Sequence, residues 1–194
     1  SLGFQNWFGF ASAALISCFV GISLWLTNRS KQEMNLGLKE AFLLTNSAWL
    51  LSGIFGAFPF LFSDLELSFT DALFESISGI TTTGSTILTT IELASPGIIL
   101  WRALLQWLGG IGIIVMALAI LPILSVGGMQ LFKTETYEAS DNAIPRARQL
   151  AGGIFGVYAS LTLIWTGMLW LAGMSGFDAL IHSMTTLATG GYSS

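Results

Sequence analysis

The chain has 194 residues, of which 53% are apolar and 9% charged, where a soluble domain carries about 25% charged residues. That contrast excludes an ordinary water-soluble enzyme. It points to an integral membrane protein, a class that also suits 7 Trp, 14 Phe and 22 Gly, because spanning helices pack through small residues and anchor through aromatics. The formal net charge of −4, with no basic stripe, argues against a nucleic-acid partner. The single cysteine, Cys18, makes no internal disulfide and reads as a small buried hydrophobe in its apolar run. The sequence opens on Ser1 and breaks off at Ser194 within an apolar hairpin, and so reads as a piece of a longer polypeptide.

A helix rises about 1.5 Å per residue and the hydrocarbon core is about 30 Å thick, so roughly 20 apolar residues are needed to cross. Four stretches reach that length: Trp7 to Leu26, Ala41 to Phe62, Ile98 to Leu124 and Leu150 to Met174. Of these only the third holds a charge, Arg102 near its start. Phe69 to Ile80 and Phe177 to Ala188 are too short to span and read as re-entrant half-spans, each leading into a run of Thr, Ser and Gly. The order is span, span, half-span, span, span, half-span.

Short cytoplasmic loops hold Lys and Arg. Arg29, Lys31 and Lys39 follow the first span, and Lys133, Arg146 and Arg148 follow the third, so both loops are placed in the cytoplasm. The stretch from Phe62 to Ile98 has Asp64, Glu66, Asp71, Glu75 and Glu92 and no Lys or Arg, which puts both half-spans at the outer face. Asn28-Arg29-Ser30 fits a glycosylation pattern but falls on the cytoplasmic side, and no secretory signal is visible.

Setting Asp71 against Asp178, 107 residues apart, also pairs Ala72 with Ala179, Leu73 with Leu180, Ser76 with Ser183, Thr82 with Thr189 and Gly84 with Gly191. One unit of span, half-span, Thr/Gly turn and span is used twice, and the second copy lacks its closing span. The chain divides accordingly into an N-terminal transmembrane helix and cytoplasmic loop (1–37), a first pore repeat (38–126), a cytoplasmic linker (127–147) and a second pore repeat (148–194). The fold class expected is an all-α membrane protein.

The turns TTTGST (81–86) and ATGGYS (188–193) fall at membrane depth, where irregular backbone is tolerated only if packed in protein or lining water. Glycine lets the backbone reach positive φ and align successive carbonyls, hard oxygen ligands that replace a cation's hydration shell. The half-helix before each turn points the negative end of its dipole there. Cation conduction is the reading these parts suggest. The alternative, a polar surface loop with Thr and Gly chosen for turn chemistry, is weakened by the recurrence.

The segments LFESISGITTTGST (73–86), WRALLQWLGGIGIIVMALAILP (101–122), GGMQLFKTE (127–135) and HSMTTLATGGYS (182–193) resemble the membrane subunits of the Trk/Ktr/HKT superfamily of potassium transporters, of the TrkH/TrkG type. The resemblance runs from about Leu38 to the end. It implies four repeats around one pore in a bacterial cytoplasmic (inner) membrane, with backbone carbonyls of Thr82, Thr83 and Gly84 and of Thr189, Gly190 and Gly191 binding K+ as the transported ion. It also implies a homodimer and a cytosolic nucleotide-binding regulatory partner of the TrkA type, with the loop from Gly127 to Arg148 as a contact. Membrane lipids are the remaining partners. No enzymatic activity is expected.

Arg102 has two readings, an ion pair with Glu75 or snorkelling to the interface. Glu75 and Asp71 would raise cation concentration at a pore mouth, while Asp64, Glu66 and Glu92 read as solvated. His182, the only histidine, reads as a helix-packing residue. Gly109, Gly110 and Gly112 lie mid-span and read as helix-packing positions, as do Gly152 and Gly156 within the protein or between subunits. Two other function classes remain: an intramembrane serine hydrolase using Ser85 with His182 as base, for which no Gly-x-Ser-x-Gly elbow exists, and a non-conducting structural or assembly module.

Overall fold

The computed structural model describes residues 6–29, 38–89, 91, 94–124 and 143–194. Among these residues all regular structure is helical: α1 (Asn6–Thr27), α2 (Leu38–Gly56), α3 (Phe58–Leu61), α4 (Phe69–Ile80), α5 (Pro96–Leu124), α6 (Ala143–Leu171) and α7 (Gly176–Leu187). Four segments, Trp7–Thr27, Phe42–Leu61, Pro96–Met116 and Ala151–Leu171, are long and apolar enough to cross a membrane. Large apolar side chains such as Leu15 and Phe19 on α1 and Leu163 and Leu171 on α6 are exposed, as helices facing hydrocarbon require. Cys18 is exposed on α1 rather than buried, because that helix turns most of its surface outward. Lys31, Glu92, Lys133 and most of the expected linker lie outside the described residues, and α6 already begins at Ala143, within that stretch.

The stretch read as one span from Ala41 to Phe62 is two helices. Pro59 has no N–H for the helix ladder, and it sits in the first turn of α3. The Ala57 N–H bonds to the Ile54 carbonyl three residues back, and the Gly56 carbonyl accepts instead from the Trp101 indole N–H at 2.9 Å. That bond fastens α2 to α5.

The half-spans α4 and α7 each have 12 residues, about 18 Å of helix. Both start the same way. Ser68 accepts from the Asp71 N–H at 3.2 Å and donates to Asp71 Oδ2 at 2.7 Å, and Ser175 makes the same pair with Asp178 at 3.1 and 2.7 Å. One of the N–H groups that a helix start leaves free is thus met in each helix, with a carboxylate at the positive end of the dipole. The repeated aspartates therefore take part in the helix caps.

Helix α5 is the central post. Arg102, Gln106, Gly109 and Gly110 recur at the i, i+4, i+7, i+8 spacing of one helix stripe. A side-chain carbon at Gly109 would overlap the Ile80 carbonyl at the end of α4, and one at Gly110 would lie 3.1 Å from Ala188 Cα at the end of α7. The glycines let α5 touch the ends of both half-helices, in agreement with the packing reading. Gly112 lies against Trp49, whereas a Cβ added at Gly152 or Gly156 would meet nothing within 4 Å among the described residues. On the far side, Trp107 Nε1 donates to Thr162 Oγ1 at 2.9 Å and joins α5 to α6. Phe60, Ile98, Ala103 and Leu105 form the apolar core where α3, α4 and α5 meet.

Candidate ion-binding turns

Both half-helices end alike. The Thr82 N–H bonds to the Gly79 carbonyl at 2.9 Å and the Thr83 N–H to the Ser78 carbonyl at 3.0 Å; Thr189 to Thr186 and Gly190 to Thr185 repeat this at 2.9 and 3.0 Å. This pair of bonds closes a helix whose next residue is left-handed, a place usually held by Gly. Here it is Thr82 at φ 56° and Thr189 at φ 55°. A β-branched residue in that region is strained by about 1–3 kcal/mol. Two residues on, Gly84 and Gly191 both have φ 78°, which glycine adopts freely. The positive φ expected of the glycines is present, and its appearance at the threonines was not legible from residue type.

The turns also meet. A Cβ added at Gly84 would overlap the carbonyl oxygen of Gly190, and one added at Gly190 would overlap the Gln106 side chain. Among the described residues no donor bonds to the carbonyl oxygens of Thr82, Thr83, Gly84, Thr189, Gly190 or Gly191. These six oxygens sit on two turns that approach each other at Gly84 and Gly190. No group of three or more His, Cys, Asp or Glu side chains that could hold a metal ion lies together among the described residues.

Behind the turns lies a buried polar scaffold. Arg102 Nε donates to Glu75 Oε1 at 2.7 Å, with 1% and 0% of the two side chains exposed. Of the two readings of Arg102, the ion pair is the one present. The Glu75 carboxylate also accepts from Thr86 Oγ1 at 2.9 and 3.0 Å and from the Ile87 N–H at 3.2 Å. Glu75 is therefore a strut of the first turn, sealed from solvent, and not a mouth charge that gathers cations. Gln106 Oε1 accepts from the Tyr192 N–H at 3.1 Å. The Tyr192 hydroxyl lies 3.0 Å from the Ser85 carbonyl and 3.2 Å from the Glu75 carbonyl, and the Arg102 guanidinium carbon sits 3.9 Å from the centre of its ring. Sequence reasoning missed Tyr192 and Gln106. The signal available for Gln106 was its place one turn after Arg102 on an otherwise apolar span; Tyr192 gave none.

His182, opposite Glu75 in the repeat, has Nδ1 2.9 Å from the Asp178 carbonyl oxygen of its own helix, a packing arrangement. The Asp178 carboxyl is held below the usual carboxylate range by hydrogen bonds from Ser175 and then Ser194, with His182 adding a smaller pull. Asp64 and Glu66 are exposed, as read.

Residues 8–194 match the TrkH family, described as cation transport protein. The chain is 50% identical over 153 residues to the Trk system potassium uptake protein TrkI of Halomonas elongata, covering 79% of this chain and 31% of that protein. It is 44% identical over 187 residues to TrkH of Escherichia coli K12, covering 95% of this chain and 38% of that protein. The crystal structure of the potassium transporter TrkH from Vibrio parahaemolyticus superposes with a TM-score of 0.82 at 38% identity, over 95% of this chain and 36% of that one. The chain thus spans between 31 and 38% of the length of these curated relatives. They are named as uptake proteins and transporters rather than enzymes, in line with the expectation that no enzymatic activity resides here. With all-helical architecture, four candidate spans and this match over nearly its whole length, the chain belongs to the TrkH family of cation transport proteins.

Proposed function

We propose that this chain carries potassium across a bacterial cytoplasmic membrane as part of a pore lined by backbone carbonyls. Thr82, Thr83 and Gly84 form one selectivity turn, and Thr189, Gly190 and Gly191 form another. Potassium is cargo rather than a resident cofactor. Residues 1–37 form the N-terminal helix and loop, 38–126 the first pore repeat, 127–147 the cytoplasmic linker, and 148–194 the greater part of a second repeat. Further turns of the same kind complete the ring, the protein works as a homodimer, and a nucleotide-binding subunit of the TrkA type regulates it from the cytoplasm.

One observation carries the reading: two turns 107 residues apart in sequence share φ values of 56° and 55° at threonine and 78° at glycine, and touch at Gly84 and Gly190. Strain of this kind persists only where the surroundings impose it, and it clusters at sites of function. The test is rubidium uptake by the full-length protein with and without Gly84→Ser. The variant adds a side chain where the Gly190 carbonyl lies and strains a φ of 78°. Uptake is expected to fall at least tenfold at equal surface expression; unchanged uptake overturns the pore role.

A further inference from the structure

We propose that Tyr192 is a positioning residue that sets the spacing between the first and second turns, and so the discrimination between potassium and smaller cations. The proposal rests on the pore reading above.

In the repeat, Tyr192 stands opposite Ser85. Its phenol crosses from the second turn to the backbone of the first and bonds to the carbonyl of that counterpart, Ser85, at 3.0 Å. The same carbonyl accepts from Ser78 Oγ at 2.5 Å. Ser85 follows Gly84 directly, so two donors hold the Ser85–Thr86 peptide, one residue beyond the first turn's glycine. At the other end of the side chain, the Tyr192 N–H is seated on Gln106 of α5 at 3.1 Å. Between these ends the ring is buried, 3% exposed, and lies under a guanidinium that Glu75 holds in place. A tyrosine has two side-chain torsions, and its ring does not shorten. With both ends bonded and the ring clamped, the separation of the turns follows from the length of one phenol. The reverse link is not available, because the counterpart of Tyr192 in the first turn is a short serine. A carbonyl ring separates cations of equal charge by size and by field strength, so a change in turn separation alters discrimination before it abolishes passage.

The experiment measures influx of rubidium and of sodium into proteoliposomes holding the full-length protein, for the parent and for Tyr192→Phe. The variant keeps the ring and removes the hydroxyl. A ratio of two fluxes is independent of how many molecules insert, so a loss of folded protein alone leaves it unmoved. The rubidium-to-sodium ratio is expected to fall by roughly two- to tenfold, the equivalent of one hydrogen bond. A ratio equal to that of the parent overturns the proposal. Should Tyr192→Phe fail to assemble, Ser78→Ala removes the other donor to the Ser85 carbonyl and decides the question by the same ratio. Gly84→Ser separates the two levels. If it leaves uptake intact, the pore reading falls; if it abolishes uptake while Tyr192→Phe and Ser78→Ala keep the parent ratio, only the positioning role falls.

Discussion

Replacing Glu75 by glutamine keeps the shape of the side chain and removes its charge, leaving the Arg102 guanidinium buried and uncompensated. Arginine does not lose its proton in proteins. Arg102 is 1% exposed, its only hydrogen-bonded nitrogen is Nε, bonded to Glu75, and Nη1 and Nη2 have no partner among the described residues. The remaining support is the Tyr192 ring 3.9 Å away, a cation–π contact worth up to about 2 kcal/mol when desolvated. Breaking a buried pair from one side costs about 3–5 kcal/mol, so the ring does not offset the loss. Glu75→Gln is expected to destabilise the protein by about 3 kcal/mol, read as the shift in detergent-driven unfolding of the full-length protein in mixed micelles. Glu75→Gln combined with Arg102→Met removes both charges and is expected to recover more than half of that loss, since an apolar substitute of similar volume is often neutral. A Glu75→Gln protein within about 1 kcal/mol of the parent, or a pair of substitutions whose effects simply add, would refute the claim that the pair holds the first turn.

Gly109→Ala places a methyl group on the Ile80 carbonyl. The obstructing atom is backbone and does not rotate away, so a loss of about 1–3 kcal/mol is expected in the same unfolding assay, with reduced rubidium uptake. Ser175→Ala removes the stronger of the two hydrogen bonds that hold the Asp178 carboxyl low, and its pKa, followed by carboxylate NMR, is expected to rise toward the ordinary value. The sign follows from linkage: a carboxyl lowered on folding stabilises the α7 cap above its unfolded pKa, and that contribution is lost as pH falls through the folded value. An unshifted Asp178 titration in Ser175→Ala would contradict the cap assignment.

Much of the fold was legible because membrane solvent leaves few choices. Span length and scarcity of charge point to α1, α5 and α6, and the half-span read as Phe69 to Ile80 has those bounds in α4. The second half-span is Gly176–Leu187, one residue earlier than read, because Ser175 rather than Gly176 caps it. The stretch from Ala41 to Phe62 was read by length alone, which passes over the break that Pro59 makes between α2 and α3. The repeat pointed to the two turns and the family resemblance named their six residues, and the structure brings Gly84 and Gly190 together. The left-handed threonines were not legible, since residue type argues against them. Nor was Tyr192, whose bonds to Ser85 and Glu75 join residues 107 and 117 positions apart through geometry that no local pattern encodes. Arg102 and Gln106, polar positions one turn apart on an apolar span, mark the stripe that faces the turns, and their spacing was readable once the stripe was drawn.

The most direct measurement is an anomalous-scattering map of the full-length protein crystallised in rubidium. The account predicts a peak on the axis between the turns, within ligand distance of carbonyl oxygens drawn from 82–84 and from 189–191. A rubidium peak held by side-chain carboxylates away from those residues, or a map in which the two turns face separate solvent spaces, would contradict it.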